Sequence, residues 1–121
     1  MATILAVDDS ASIRQTVKIA LGSAGHTIVE AVDGTDGLRK AGSAVFDLVI
    51  TDLNMPEMDG LTMIRELRKA PAYAGVPILF LTTESAASVK QQAKAAGATG
   101  WITKPFAPDQ LGRVVEKVLA K

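Results

Sequence analysis

A chain of 121 residues fits one domain, and with 48% apolar and 21% charged residues it can bury a continuous core and is not expected to be disordered. Thirteen basic residues balance thirteen acidic ones, and no basic stripe is interleaved with aromatics, so the electrostatic footprint of a nucleic-acid binder is missing. The lack of cysteine excludes disulfides and thiolate metal sites, no secretory leader pattern is present, and the longest apolar run, Val76–Leu81, is too short to span a bilayer, so a monomeric cytoplasmic domain without membrane insertion is expected.

The first predicted element is a strand, Ile4–Val7, ending in Asp8-Asp9. Ile13, Val17, Ala20, Leu21 and Ala24 then fall on one helical face. Ser10 or Ser12 can cap this helix, and Ser12 with Gln15 has capping-box spacing. A second strand spans Thr27–Ala31, and His26 in the turn before it reads as a solvated surface residue. Asp33-Gly34 supplies cap chemistry for a helix over Thr35–Ala41, weakened by Gly37 inside it. The third strand, Leu48–Thr51, ends in Asp52. Met55 and Met58 read as loop packing and Asp59 as the cap of a third helix carrying Leu61, Ile64 and Leu67. The fourth strand, Ile78–Leu81, runs into Thr82-Thr83-Glu84. A weaker helical stripe follows at Val89, Ala93 and Ala96, beside a polar one at Lys90, Gln91 and Lys94. A fifth strand, Gly100–Thr103, ends in Lys104-Pro105, and Pro108 suits the first turn of a last helix bearing Leu111, Val114, Val115, Val118 and Leu119.

Five strand–helix units in strict alternation imply right-handed crossovers and a parallel sheet with helices on both faces. Ligand-binding groups in such folds gather at the carboxyl ends of the strands. If the first and third strands are neighbours, Asp8, Asp9 and Asp52 converge there, and carboxylates that close need a cation, since like charges raise one another's pKa. An oxygen-only ligand set suits a hard cation such as Mg²⁺, for which Mn²⁺ can substitute. Asp9 and Asp52 would ligate it directly, Asp8 through water, and the Asn54 backbone carbonyl would be a third protein ligand. An ammonium (Lys104) and a hydroxyl (Thr82) aimed at the same place match the oxygens of a transferred phosphoryl group, with Asp52 as the carboxylate nucleophile.

Asp8-Asp9, Asp52, the run Met55-Pro56-Glu57-Met58-Asp59-Gly60, Thr82 and Lys104-Pro105-Phe106, in this order over essentially the whole chain, resemble the receiver domain of bacterial two-component response regulators. With no output domain after the last helix, the chain is most similar to single-domain regulators of the CheY type. The resemblance implies a flavodoxin-like (βα)5 three-layer sandwich with strand order 2-1-3-4-5. CheY is itself a standard example of that order, which therefore rests on the resemblance alone. The resemblance also implies phosphoryl transfer from a chemotaxis-type histidine kinase onto Asp52, with assistance from the receiver itself and later hydrolysis. It further implies an output partner such as a flagellar motor switch protein, and a phosphatase as a further partner. The implied switch moves Thr82 inward and rotates the aromatic residue three positions before the lysine, here Trp101, reshaping the face formed by the fourth helix, fifth strand and fifth helix. Asn54, Thr83 and Glu84 would modulate the site. Two positions depart from the family pattern: Trp101 replaces the usual Tyr or Phe, and Thr83 replaces a smaller residue and is expected to narrow access to Asp52. A cis bond at Lys104-Pro105 is implied as well.

Other chemistries fit less well. A phosphatase with an aspartyl nucleophile needs an acid two residues later, where Asn54 stands. A flavin-mononucleotide binder on the same topology needs a hydroxyl-rich loop where Asp8 and Asp9 would repel the phosphate. Within the family, a phosphorelay intermediate or phosphate sink is the alternative to motor output.

Overall fold

The computed structural model describes residues 2–52, 60–82, 87–104 and 106–120, and in the helix that starts at Ala87 the side chains from Lys90 onward. Strands and helices alternate in chain order as β1 (Thr3–Val7), α1 (Ala11–Gly22), β2 (Thr27–Ala31), α2 (Gly34–Ser43), β3 (Leu48–Asp52), α3 (Gly60–Lys69), β4 (Ile78–Thr82), α4 (Ala87–Ala96), β5 (Gly100–Thr103) and α5 (Pro108–Leu119). A short 3₁₀ turn at Pro71–Tyr73, which the sequence pattern did not announce, links α3 to β4. All strand pairs are parallel and the sheet order is β2-β1-β3-β4-β5.

The period-2 alternation of the strands splits the core into two layers. Ile4, Ala6, Leu48, Ile50, Leu79, Leu81 and Ile102 face α1 and α5, meeting Val17, Leu21, Leu111 and Val115. Leu5, Val7, Val49, Ile78 and Phe80 face α2, α3 and α4, meeting Ala41, Met63, Ile64, Leu67, Ala93 and Ala96. Central strands β3 and β4 are buried throughout, as expected for a sheet covered on both faces, whereas edge strands β2 and β5 are only partly so.

Helix boundaries follow local chemistry, with three departures from expectation. Ser10, in extended conformation, caps α1 by accepting from the Ile13 N–H at 3.4 Å. Ser12 lies inside the helix, where its carbonyl accepts from the Thr16 hydroxyl, so the Ser12–Gln15 capping box does not form. Because α1 ends at Gly22 and the chain turns through Gly25 at positive φ, Ala24 is exposed rather than on the buried face. His26 is half-buried and its Nδ1 accepts the Ala2 N–H at 3.1 Å, tying the start of β1 instead of standing in solvent.

Gly37 is what admits α2 to the sheet. A Cβ there would sit 3.0 Å from both Met63 Cε and Val7 Cγ2. Asp33 caps the helix as expected, accepting the Asp36 N–H at 2.8 Å. On the same side of the sheet Arg68 gathers the ends of several elements. Its guanidinium donates to the Gly97 carbonyl at 2.7 and 3.0 Å, to the Val76 carbonyl at 2.7 Å, and to the Tyr73 carbonyl. Burial opposes the charge and lowers the Arg68 pKa from its ordinary value. Gly97 has φ +115°, and a Cβ there would lie 2.7 Å from Arg68 Cγ. Gly97→Ala therefore combines backbone strain with displacement of Arg68, and is expected to reduce unfolding free energy by about 1–3 kcal/mol, read as a lower urea midpoint at unchanged slope.

Candidate functional site

The β1–β3 register brings the first and third strand ends together. Val7 pairs with Thr51, so Asp8, one step past β1, stands beside Asp52 at the end of β3. Strand order reverses here, with β2 on one side of β1 and β3 on the other, which is where ligand crevices lie in folds of this kind. Asp8 and Asp52 are buried, at 2% and 5% exposure, while Asp9 is exposed. One carboxylate oxygen from each of the three lies within 4.8 Å of the others.

Lys104 enters this cluster from the far side of the sheet. Its backbone N–H donates to the Thr82 carbonyl at 2.8 Å, one rung beyond the β4–β5 pairing of Thr82 with Thr103. That rung fixes the root of the side chain. Nζ then donates to Asp8 Oδ2 at 3.0 Å and lies 3.2 Å from Asp52 Oδ1. Burial acts to lower the Lys104 pKa, but the Asp8 hydrogen bond and the charges of Asp8 and Asp52 outweigh it and hold the ammonium above its ordinary value. Three carboxylates against this one ammonium still leave surplus negative charge on the crevice, with Asp9 open to solvent. The donors are all oxygens, which fits a hard divalent cation of the Mg²⁺ class and not a soft metal.

Thr82 is fully buried at the end of β4, one step beyond the residue that pairs with Asp52. Trp101 lies on β5 and is 45% exposed. Its ring tilts by 33° against Phe80, with centroids 6.3 Å apart, and Lys90 Nζ sits 4.4 Å above it, within cation–π range. Trp101 is thus turned outward over α4. Asn54, Met55, Met58, Asp59, Thr83, Glu84 and the Lys104-Pro105 bond lie outside the described residues, as does the Val89 side chain.

Two site neighbours carry no sequence motif. Arg14 Nη1 donates to the Asp8 carbonyl at 2.7 Å, and its Nε pairs with Glu30 at 3.2 Å. The only available signal was a basic residue four positions after the helix cap, on a side chain that leans toward the helix N-terminus.

Residues 4–116 match the response regulator receiver domain family. The chemotaxis protein CheY1 of Helicobacter pylori is 36% identical over 118 residues, covering 96% of this chain and 95% of that protein. A match of 33% identity to the sensor histidine kinase CheAY of the same organism covers 94% of this chain but 14% of that protein. Among solved structures, CheY4 of Vibrio cholerae superimposes with a TM-score of 0.94 at 47% identity, covering 98% of both chains. The receiver domain of the sensor histidine kinase PA1611 of Pseudomonas aeruginosa, solved with magnesium in its active-site cleft, superimposes at 0.91 with 26% identity, covering 99% and 98%.

Lys104→Met leaves the buried carboxylates without their ammonium. It is expected to lower stability in metal-free buffer at neutral pH by about 2–4 kcal/mol. Because the folded-state pKa of Lys104 is raised, its contribution is complete below the unfolded value of about 10.4 and is lost as pH rises through the higher folded value. Urea unfolding of both proteins should therefore converge at strongly alkaline pH.

Proposed function

The chain belongs to the response regulator receiver family, and from that premise we propose that it is a chemotaxis-type phosphoacceptor whose Asp52 takes a phosphoryl group from a histidine kinase. The observation that carries this reading is the meeting of Asp8, Asp9 and Asp52 within 4.8 Å, with Lys104 bonded to two of them. In this reading Asp9 and Asp52 would hold Mg²⁺ directly, Asp8 would hold it through water, and the Asn54 carbonyl, outside the described residues, would complete the protein ligands. The magnesium-loaded cleft of the PA1611 receiver supports the assignment. When bound, the cation draws off charge from the carboxylate and phosphoryl oxygens.

An Asp52 oxygen attacks the phosphorus of a phosphohistidine, the P–N bond breaks, and the freed imidazole leaves with the electron pair. Lys104, already beside Asp52, neutralises a phosphoryl oxygen, and Thr82 donates its hydroxyl to another. Water later attacks the phosphorus and returns the Asp52 carboxylate with inorganic phosphate. No accessory base is needed for the first step, because the attacking carboxylate oxygen carries no proton and only it and the incoming group must be aligned. The output reading follows from Thr82 and Trp101. Inward movement of Thr82 opens room for Trp101 to leave its exposed place beside Lys90, changing the α4-β5-α5 face that an output protein such as a flagellar motor switch protein would recognise. Asn54, Thr83 and Glu84 border the incoming group in this reading and set its rates. The similarity to CheY1 and CheY4 supports chemotaxis as the setting.

Incubation with a ³²P-labelled histidine kinase is expected to label the protein in Mg²⁺ or Mn²⁺, and to leave it unlabelled in EDTA or as Asp52→Asn. Label retained by Asp52→Asn on anything but an adjacent hydroxyl would overturn the assignment. Pull-down on a flagellar switch peptide should strengthen with beryllofluoride; phosphoryl uptake without such strengthening points to a relay or sink in place of motor output.

A further inference from the structure

Arg14 lies in the first turns of α1, where its own N–H makes the first helical bond, to the carbonyl of the cap residue Ser10, at 3.1 Å. Its side chain runs back past the cap toward β1 and ends at two acceptors. Nη1 donates to the Asp8 backbone carbonyl at 2.7 Å, and Nε donates to Glu30 Oε1 on β2 at 3.2 Å. The arginine side chain is 14% exposed and that of Glu30 34%, so both bonds are partly buried.

Asp8 sits where the β1–β2 ladder ends. Its N–H makes one more rung, to the Ala31 carbonyl at 3.1 Å. Beyond it the chain must turn into α1, and the Asp8 carbonyl, which begins the peptide unit of Asp9, is taken by the guanidinium. The Ser10 N–H closes the same turn from the other side, donating to Asp8 Oδ1 at 2.9 Å. The peptide plane between the two carboxylate residues is thereby held at its carbonyl by Arg14, whose other end is anchored on β2.

We infer that Arg14 is a positioning residue for the divalent cation, fixing the Asp8–Asp9 peptide so that both carboxylates face Asp52. The inference rests on the metal reading given above, but it makes a prediction that runs against simple electrostatics. A guanidinium near a cation site repels the cation, so charge alone predicts tighter Mg²⁺ binding when Arg14 is removed. Loss of positioning predicts the reverse. Lysine separates the two further, because it keeps the charge but cannot reach both acceptors as a planar fork.

The test is Mg²⁺ titration by calorimetry of the intact protein, Arg14→Met, Arg14→Lys and an Asp9→Asn control, with ¹³C chemical shift of the Asp8 carbonyl recorded on metal-free samples. Arg14→Met is expected to weaken Mg²⁺ about tenfold, the order found for groups that orient metal ligands. Arg14→Lys should fall between it and the parent, and the Asp8 carbonyl should shift upfield in both. Unchanged or tighter binding in Arg14→Met, with the fold intact by circular dichroism, overturns the inference. If Arg14→Met does not fold, Arg14→Lys decides: parental affinity with a displaced carbonyl resonance overturns it equally. Failure of the underlying metal reading looks different, since the parent itself would then show no saturable binding that Asp9→Asn removes, and the inference would fall with it.

Discussion

Two buried carboxylates at adjacent strand ends, with a third beside them, are tolerable only if opposite charge reaches them. This requirement organises the carboxyl edge of the sheet. Lys104 supplies the charge from β5, two strands beyond β3, and does so through a backbone rung to Thr82 that fixes where its side chain starts. The sheet order is therefore more than a scaffold for the acidic cluster. It is what makes a lysine nearly a hundred residues away in sequence the immediate partner of Asp8.

The rest of the molecule divides its tasks by position. At the site edge, the polar groups are charged, close together and incompletely neutralised. Elsewhere, Arg68 and Tyr73 leave the surface and are satisfied by neutral backbone. Arg68 directs its donors to carbonyls of the α4–β5 turn and of the segment before β4, and the Tyr73 hydroxyl lies 2.8 Å from the carbonyls of both Ala41 and Ala44 at the end of α2. Among the described residues no buried side-chain polar atom lacks a partner. Surplus charge is thus concentrated where ligand chemistry is proposed, against a background that is otherwise settled.

Much of this was legible in the chain. The five strands were visible as short β-branched runs, to within a residue at each end, because a doubly covered sheet needs apolar residues on both faces. Asp8, Asp9, Asp52, Thr82 and Lys104 were legible as strand-end residues, and the structure brings the three aspartates and Lys104 together. What was not legible depends on reach across space. Gly37 looked like a helix weakener, yet its missing Cβ is what lets Met63 and Val7 pack against α2. Ser12 looked like a cap from its spacing to Gln15, but the extended backbone that a cap requires belongs to Ser10. Arg14 and Glu30 carry no motif at all; they meet because a helical side chain leans backward and β2 lies beside β1.

The proposed switch joins Thr82 at the end of β4 to Trp101 on β5, and the place of β5 in the sheet suits it to that. As an edge strand it is bonded to β4 alone, and of its four residues Ile102 is the one that is buried. Its attachment to the core is consequently thinner than that of β3 or β4, whose residues are buried throughout. Lys104 follows directly on this strand, and Trp101 begins its exposed side. Lys104 and Trp101 thus lie three residues apart on one short segment, and the Trp101 ring packs under Lys90. Among the described residues, the outward position of Trp101 is supported by the Phe80 ring and by the Lys90 ammonium, a cation–π contact of about 0.5–2 kcal/mol. That is small beside the several kcal/mol that separate a neutralised from an uncompensated buried carboxylate pair. In the proposed switch that order matters: the charged site would bias the aromatic, whose described contacts are the weaker of the two.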